Sequence, residues 1–263
     1  MKAVFCPCLF FPAACASQAV ATAVAPPPST AAWDLRFISR QVHYEKFMGH
    51  VDVFSDIACP WCFIGKRRME KALALLPVDK RPSIRWRSYQ LQPDAPEGIS
   101  TPAKAQLEKK FGGARRFEEL FTHVRRAGEA DGIHFDIDKQ QSCNTRLAHR
   151  AVAIALAHGR QDAAVEGFFS ANFEQGKNLA DIDVVVAILL EALRDIALVD
   201  ETAVRAALAQ GGGADEVDLD LVQARELGVT GVPFFVLDDR LAISGAQEPA
   251  TFLKFLLQGC TAP

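Results

Sequence analysis

The chain has almost no surplus of charge. Across 263 residues, 29 Lys and Arg stand against 32 Asp and Glu, a formal net charge of −3. A nucleic-acid surface needs a marked Lys/Arg excess, so no such partner is expected. Long apolar runs are missing too. The longest uncharged apolar stretch, residues 3–16, is broken by Pro7 and Pro12 and falls short of the roughly 18 residues that suggest a membrane span. No Gly-X-Y period, heptad array or internal repeat is present, which removes the fibrous classes. Cysteine is sparse and odd in number at 7, so a disulfide scaffold is excluded and at least one thiol stays unpaired in a monomer. Hydrophobic residues at 49% and charged ones at 23% leave an ordinary globular composition that can bury a substantial core.

Acidic residues are absent from residues 1–32, where Lys2 is the only charge. This stretch contains Pro26-Pro27-Pro28 and shows neither helical nor strand periodicity. Residues 1–46 are therefore read as a disordered leader or a targeting segment. Lys2, the apolar run and Ala19-Val20-Ala21 fit a secretory signal. Acid-poor, Ser/Ala-rich composition fits an organellar transit peptide, although Arg is missing from residues 1–32. An intracellular setting, cytosol or an organelle such as a plastid or mitochondrion, is favoured, with the secretory route as the alternative. Cys6, Cys8 and Cys15 lie in this leader and are read as incidental thiols.

From His50 onward the pattern is regular. His50-Val51-Asp52-Val53-Phe54-Ser55 alternates as a strand does, and Met69, Ala72, Leu73 and Leu76 mark one face of a helix. Residues 83–91 alternate again, which makes a βαβ opening. Helices are expected over residues 103–111, 115–131, 144–158, 162–173, 183–195 and 202–210, with Asn144 as a cap. Gly211-Gly212-Gly213 lacks the Lys-Ser/Thr ending of a phosphate loop and reads as a helix stop. A helix over 215–227, strands over 234–237 and 241–244 and a helix opening at Pro249 restore α/β character.

Cys59 and Cys62 stand two residues apart where the first strand hands over to the first helix. A helix N-terminus favours a thiolate, and Pro60 suits the first turn because its missing N–H would be unpaired anyway. One exposed thiol attacks, and the second resolves the mixed disulfide. Zinc is the competing reading, but neither a second C-x2-C nor an H-x3–5-H follows. A packed structural pair is the other, against which Pro60-Trp61 at a chain corner argues for exposure. Pro233, entering the third strand, comes near the same helix terminus. There a cis bond to Val232 would set the Val232 backbone beside an extended peptide lying across Cys59, although cis is intrinsically a minority state for X-Pro.

The run Ser55-Asp56-Ile57-Ala58-Cys59-Pro60-Trp61-Cys62-Phe63-Ile64-Gly65-Lys66 resembles the active-site segment of the DsbA-like thioredoxin-fold superfamily, in its FrnE-like branch. Similar segments recur at Gln92-Pro93-Asp94, at Asn144 to Arg150, and at Gly228 to Val236 followed by Ser244-Gly245-Ala246-Gln247. The likeness spans residues 50–258. It implies an α/β thioredoxin fold with a large all-helical domain inserted between its βαβ and αββα halves. Residues 47–100 and 214–258 would form the thioredoxin-like part, 101–213 the insert and 259–263 a tail.

The implied activity is thiol–disulfide oxidoreduction on protein or small-molecule thiols and disulfides. Cys59 and Cys62 would be catalytic, with Pro60, Trp61, Val232 and cis Pro233 in support. No bound cofactor or metal is implied; glutathione or another thiol couple is the redox partner. Related folds include 2-hydroxychromene-2-carboxylate isomerases and kappa-class glutathione transferases, which place Ser at the position of Cys59. A glutathione-dependent isomerase or transferase is thus the first alternative, and a non-catalytic peptide- or metabolite-binding module the second. The dipeptide is Pro-Trp, not Pro-His, so a less oxidising couple is expected. Cys143 and Cys260 read as incidental. His149 and Arg150 are core-bridging or line a groove, Asp56 tunes the thiols or holds a turn, and Lys66-Arg67-Arg68 is the solvated face of the first helix.

Overall fold

A computed structural model describes residues 49–197 and 199–259. The readings of the leader, with Cys6, Cys8 and Cys15, and of Cys260 lie outside the described residues. Strand β1 (His50–Ser55) buries Val51, Val53 and Phe54, as a strand covered on both faces does. It is central in a four-stranded sheet with the order β2-β1-β5-β6. Strand β2 (Ser83–Ser88) runs parallel to it, reached through helix α1 (Pro60–Ala74) and a 3-10 turn at Val78–Lys80. Strand β5 (Phe234–Leu237) is antiparallel to β1, with Phe54 opposite Phe234, and β6 (Leu241–Ser244) closes the far edge. Asp238 and Asp239 both take positive φ in the β5–β6 turn, the conformation a tight hairpin requires and Asp tolerates.

Between the two halves lie α2 (Ala103–Lys110), α3 (Ala114–Ala130), α4 (Arg146–Ala157), α5 (Gln161–Phe173), α6 (Ile182–Leu193) and α7 (Glu201–Ala209). Helices α8 (Ala214–Glu226) and α9 (Pro249–Gly259) belong to the C-terminal half. The glycine triplet ends α7: Gly213, with φ 77, starts α8, and a Cβ there would meet the Arg150 carbonyl oxygen at 2.3 Å. Arg150 bonds back to Gly212 O at 3.1 Å, so it pins this link. A two-stranded ribbon of β3 (Ser100–Pro102) and β4 (Gln141–Cys143) was not expected. Three-residue strands are too short to show a period.

The helical segment is built onto the sheet. Phe63, next to Cys62, stacks on Phe169 at 5.1 Å and Phe173 at 6.3 Å. On the outer edge of β2, Gln161 accepts from Trp86 N–H at 2.8 Å and donates to Trp86 O at 2.9 Å, while Asp220 of α8 accepts from Ser88 N–H at 2.8 Å. Side chains thus satisfy edge groups that would otherwise invite another strand.

The cationic run on α1 is not a solvated face. Lys66 is only 2% exposed and pairs with Glu70, with Asp162 at 3.2 Å and with Glu166 at 3.1 Å. Arg67 holds Glu166, and Arg68 holds Asp131 at 2.7 Å and Glu248 at 2.7 Å. The three cations are the seam between α1 and the helical segment, and a buried charge requires such partners. Burial alone would raise the Glu166 pKa, but Arg67 and Lys66 hold it below the ordinary 4.5. A depressed folded-state pKa stabilises the fold above the unfolded value and loses that contribution as pH falls through the folded one. Stability should therefore decline below the ordinary glutamate pKa, and Glu166→Gln should flatten that part of the curve. Thermal melts on either side of that pH check this.

Candidate active site

Strand β1 ends at Ser55, and the chain turns through Asp56, Ile57 and Ala58 into α1. Cys59 N–H closes the turn onto Asp56 O at 2.9 Å. The Asp56 carboxylate accepts from Ala58 N–H at 3.2 Å and from Leu91 N–H at 2.7 Å. His149 of α4 approaches the same carboxylate at 3.3 Å, and Asn172 of α5 donates to Ile57 O at 3.0 Å. Asp56 is thus a turn-holding group, and His149 is a buried bridge from the helical segment. Asn172 had no signal in the sequence; a lone Asn on an amphipathic helix carries none.

Asn144 explains how α4 reaches this turn. Its side chain accepts from Arg146 N–H at 2.8 Å and from Gln90 at 2.9 Å, and donates to Ala95 O at 2.6 Å. It caps α4 from one residue before the N-cap Thr145 and ties the helix start to the loop after β2.

Cys59 is the N-cap of α1, Pro60 occupies its first position, and Cys62 lies one turn on, its N–H bonded to Cys59 O at 3.0 Å. Trp61 is half-buried against the core. The thiols are free. The exposure expected for the pair is not found: Cys59 is 1% and Cys62 0% exposed. The cause is long-range. Cys59 Sγ donates to Val232 O at 3.5 Å, so the segment leading into β5 lies over the sulfur. The Val232–Pro233 bond is cis. Burial pushes the Cys62 thiol well up, and Cys59 beside it pushes it further. Cys62 therefore gives up its proton less readily than an ordinary cysteine.

Pro233 rests on α1 where Gly65 offers no side chain. A Cβ on Gly65 would lie 3.0 Å from Pro233 Cγ and 3.4 Å from Phe235 Cζ. Gly65→Val adds branched bulk against the proline and should cost about 2 kcal/mol. It should also speed alkylation of Cys59, by moving Val232 off the sulfur it covers. Denaturant melts and a Cys59 alkylation rate check the two effects.

Cys143, at the end of β4, is half-buried. Burial and the nearby Asp56 carboxylate push its thiol up to about 11, which makes it a poor nucleophile. The one grouping of three ligand-type side chains among the described residues is His50, Asp52 and Asp239. It sits at the opposite end of β1, and its Asp52 is already held by Arg87. No helix of the described residues is long and apolar enough to cross a membrane.

A mixed sheet, a crossover helix capped by a cysteine of a C-x2-C pair and a proline packed against that helix define a thioredoxin-fold protein, here with a helical insertion. The chain belongs to the DsbA-like thioredoxin domain family, whose pattern matches residues 50–257. Among solved structures it is similar to the probable DsbA oxidoreductase SCO1869 from Streptomyces coelicolor. The TM-score is 0.74 at 33% identity, over 80% of this chain and 89% of that one. The uncharacterized protein YwbO of Bacillus subtilis (strain 168) is 26% identical over 219 residues, 78% of this chain and 94% of its own length. The cytosolic disulfide reductase DsbM from Pseudomonas aeruginosa, solved with GSH, shares the fold at a TM-score of 0.55 and 17% identity, over 80% of this chain and 98% of that one.

Proposed function

We propose that the protein is a FrnE-like thiol–disulfide oxidoreductase working through Cys59 and Cys62, with an intracellular thiol couple such as glutathione as its redox partner. One observation carries the reading: Cys59, at the helix N-terminus, touches the Val232 carbonyl, with the buried Cys62 one turn behind. An incoming disulfide displaces the weak S–H contact to Val232, and Cys59 releases its proton to solvent. The Cys59 thiolate then attacks one substrate sulfur, the substrate S–S bond breaks, and the departing thiolate takes up a proton. Val232, released from the thiol, is placed to pair with the backbone of a peptide substrate. The likeness to SCO1869, at 33% identity, supports an activity of this kind.

The test is an equilibration of the protein in glutathione buffers of graded ratio, followed by alkylation and peptide mapping. Cys59 and Cys62 should interconvert together between dithiol and disulfide. A pair that keeps one state across the whole range overturns the reading.

A further inference from the structure

Ser55 is the last residue of β1 and is 4% exposed. Its backbone carbonyl accepts from Tyr89 N–H at 3.0 Å. Its hydroxyl is different: among the described residues it is the one buried side-chain nitrogen or oxygen without a hydrogen-bond partner. Such a group costs stability, and alanine would fill the place without that penalty.

The neighbour of this hydroxyl is Cys62. Burial and Cys59 hold the proton on Cys62, while the Ser55 hydroxyl and the Asp56 N–H act the other way and favour its thiolate. In the dithiol form the sulfur is a weak acceptor and the hydroxyl stays unpaired. A thiolate is a strong one, and a hydrogen bond to a charged partner is roughly twice as strong as a neutral one.

We propose that Ser55 is a positioning residue for the resolving half of thiol–disulfide exchange, its idle hydroxyl donating to the Cys62 sulfur once that sulfur carries the charge. This rests on the exchange reading above. In this half-reaction Cys62 has released its proton to solvent. Its electron pair forms the bond to Cys59 Sγ, the bond from Cys59 to the substrate sulfur breaks, and the substrate thiolate leaves and is protonated. The two cysteines are oxidised and the substrate disulfide is reduced. The Ser55 hydroxyl keeps its proton throughout. The titratable groups around Cys62 are Cys59 on its own turn and Asp56, which in turn faces His149 of α4 and Cys143 of β4. None is altered by a change at Ser55.

The test follows the Cys59–glutathione adduct of the full-length protein after mixing with oxidised glutathione, by acid quench and mass spectrometry of the Cys59 peptide. Ser55→Ala should form the adduct at the wild-type rate and unfold at the same or a higher temperature. Its adduct should decay on the order of tenfold more slowly, the effect of one hydrogen bond to a charged group. The pH midpoint of the decay should move upward, because the thiolate has lost a donor. Ser55→Thr, which keeps the hydroxyl, should return the wild-type rate. An alanine variant with unchanged decay and midpoint overturns the role of Ser55 while leaving the exchange reading intact. A wild-type protein that forms no adduct overturns the exchange reading itself, and the Ser55 proposal with it.

Discussion

Cys59→Ser should remove disulfide exchange down to the background of the assay, a loss of several orders of magnitude, while Cys62→Ser should stop the reaction half-way. The two cysteines differ in place and in surroundings. Cys59 caps α1 and meets the segment that a substrate would displace, with its sulfur on Val232 O at 3.5 Å. Cys62 is fully buried one turn behind, and burial and Cys59 both hold its proton on. The thiolate is the nucleophile, and burial and Cys59 disfavour that of Cys62, so attack is expected at Cys59. Serine there leaves a hydroxyl with no neighbouring base to activate it, and Cys62 cannot substitute because no substrate sulfur reaches it. With Cys62 as serine, attack still occurs, but nothing resolves the product. The variant should therefore accumulate a mixed disulfide that survives non-reducing electrophoresis and is released by dithiothreitol. A Cys59→Ser protein that retains turnover, or adducts mapping to Cys62 in the wild type, would reverse the assignment.

The largest effect on stability should come from Arg87. Its guanidinium holds the Asp52 carboxylate with two hydrogen bonds, at 2.9 and 3.0 Å, and meets Asp220 at 3.0 Å. All three side chains are nearly buried, and they join β1, β2 and α8. Breaking a buried ion pair from one side is costly because it strands the other charge: about 3 kcal/mol or more. Here two carboxylates are stranded at once. Arg87→Met keeps most of the apolar bulk and should lower the unfolding temperature by about 10 °C. Adding Asp52→Asn and Asp220→Asn in that background should recover part of the loss, since the penalty lies in the orphaned charges. The amide replacing the Asp220 carboxylate could still accept from Ser88 N–H and preserve the strand edge. Calorimetry on the single and triple variants checks both steps; a single variant within about 0.5 kcal/mol of wild type would show the triad to be energetically silent.

Much of the site was legible in the residues themselves. The alternation of residues 50–55, the helical stripe after Pro60 and the cysteine spacing between them place a C-x2-C pair on a strand-to-helix corner, because backbone periodicity and first-turn chemistry are local properties. The ends of most helices in the middle of the chain followed for the same reason. Pro233 was assigned to that corner from the order of elements alone, and it rests on Gly65 of α1.

What the sequence could not determine depends on contacts between residues far apart along the chain. Lys66-Arg67-Arg68 has the composition of a wetted helix face, and only the arrival of Asp162, 96 residues later, turns it into a buried seam. Asp56 and His149 are 93 residues apart, and each is unremarkable in its own segment. Cys59 looked exposed because a chain corner usually is; Val232, 173 residues on, covers it. The β3–β4 ribbon is too short to leave a period, yet it helps bring Asn144 to the loop after β2. Local pattern thus determines which elements form and where a reactive pair stands in them. Burial, pairing of charge and the partner of each thiol are set only when the packed chain decides which distant groups displace water.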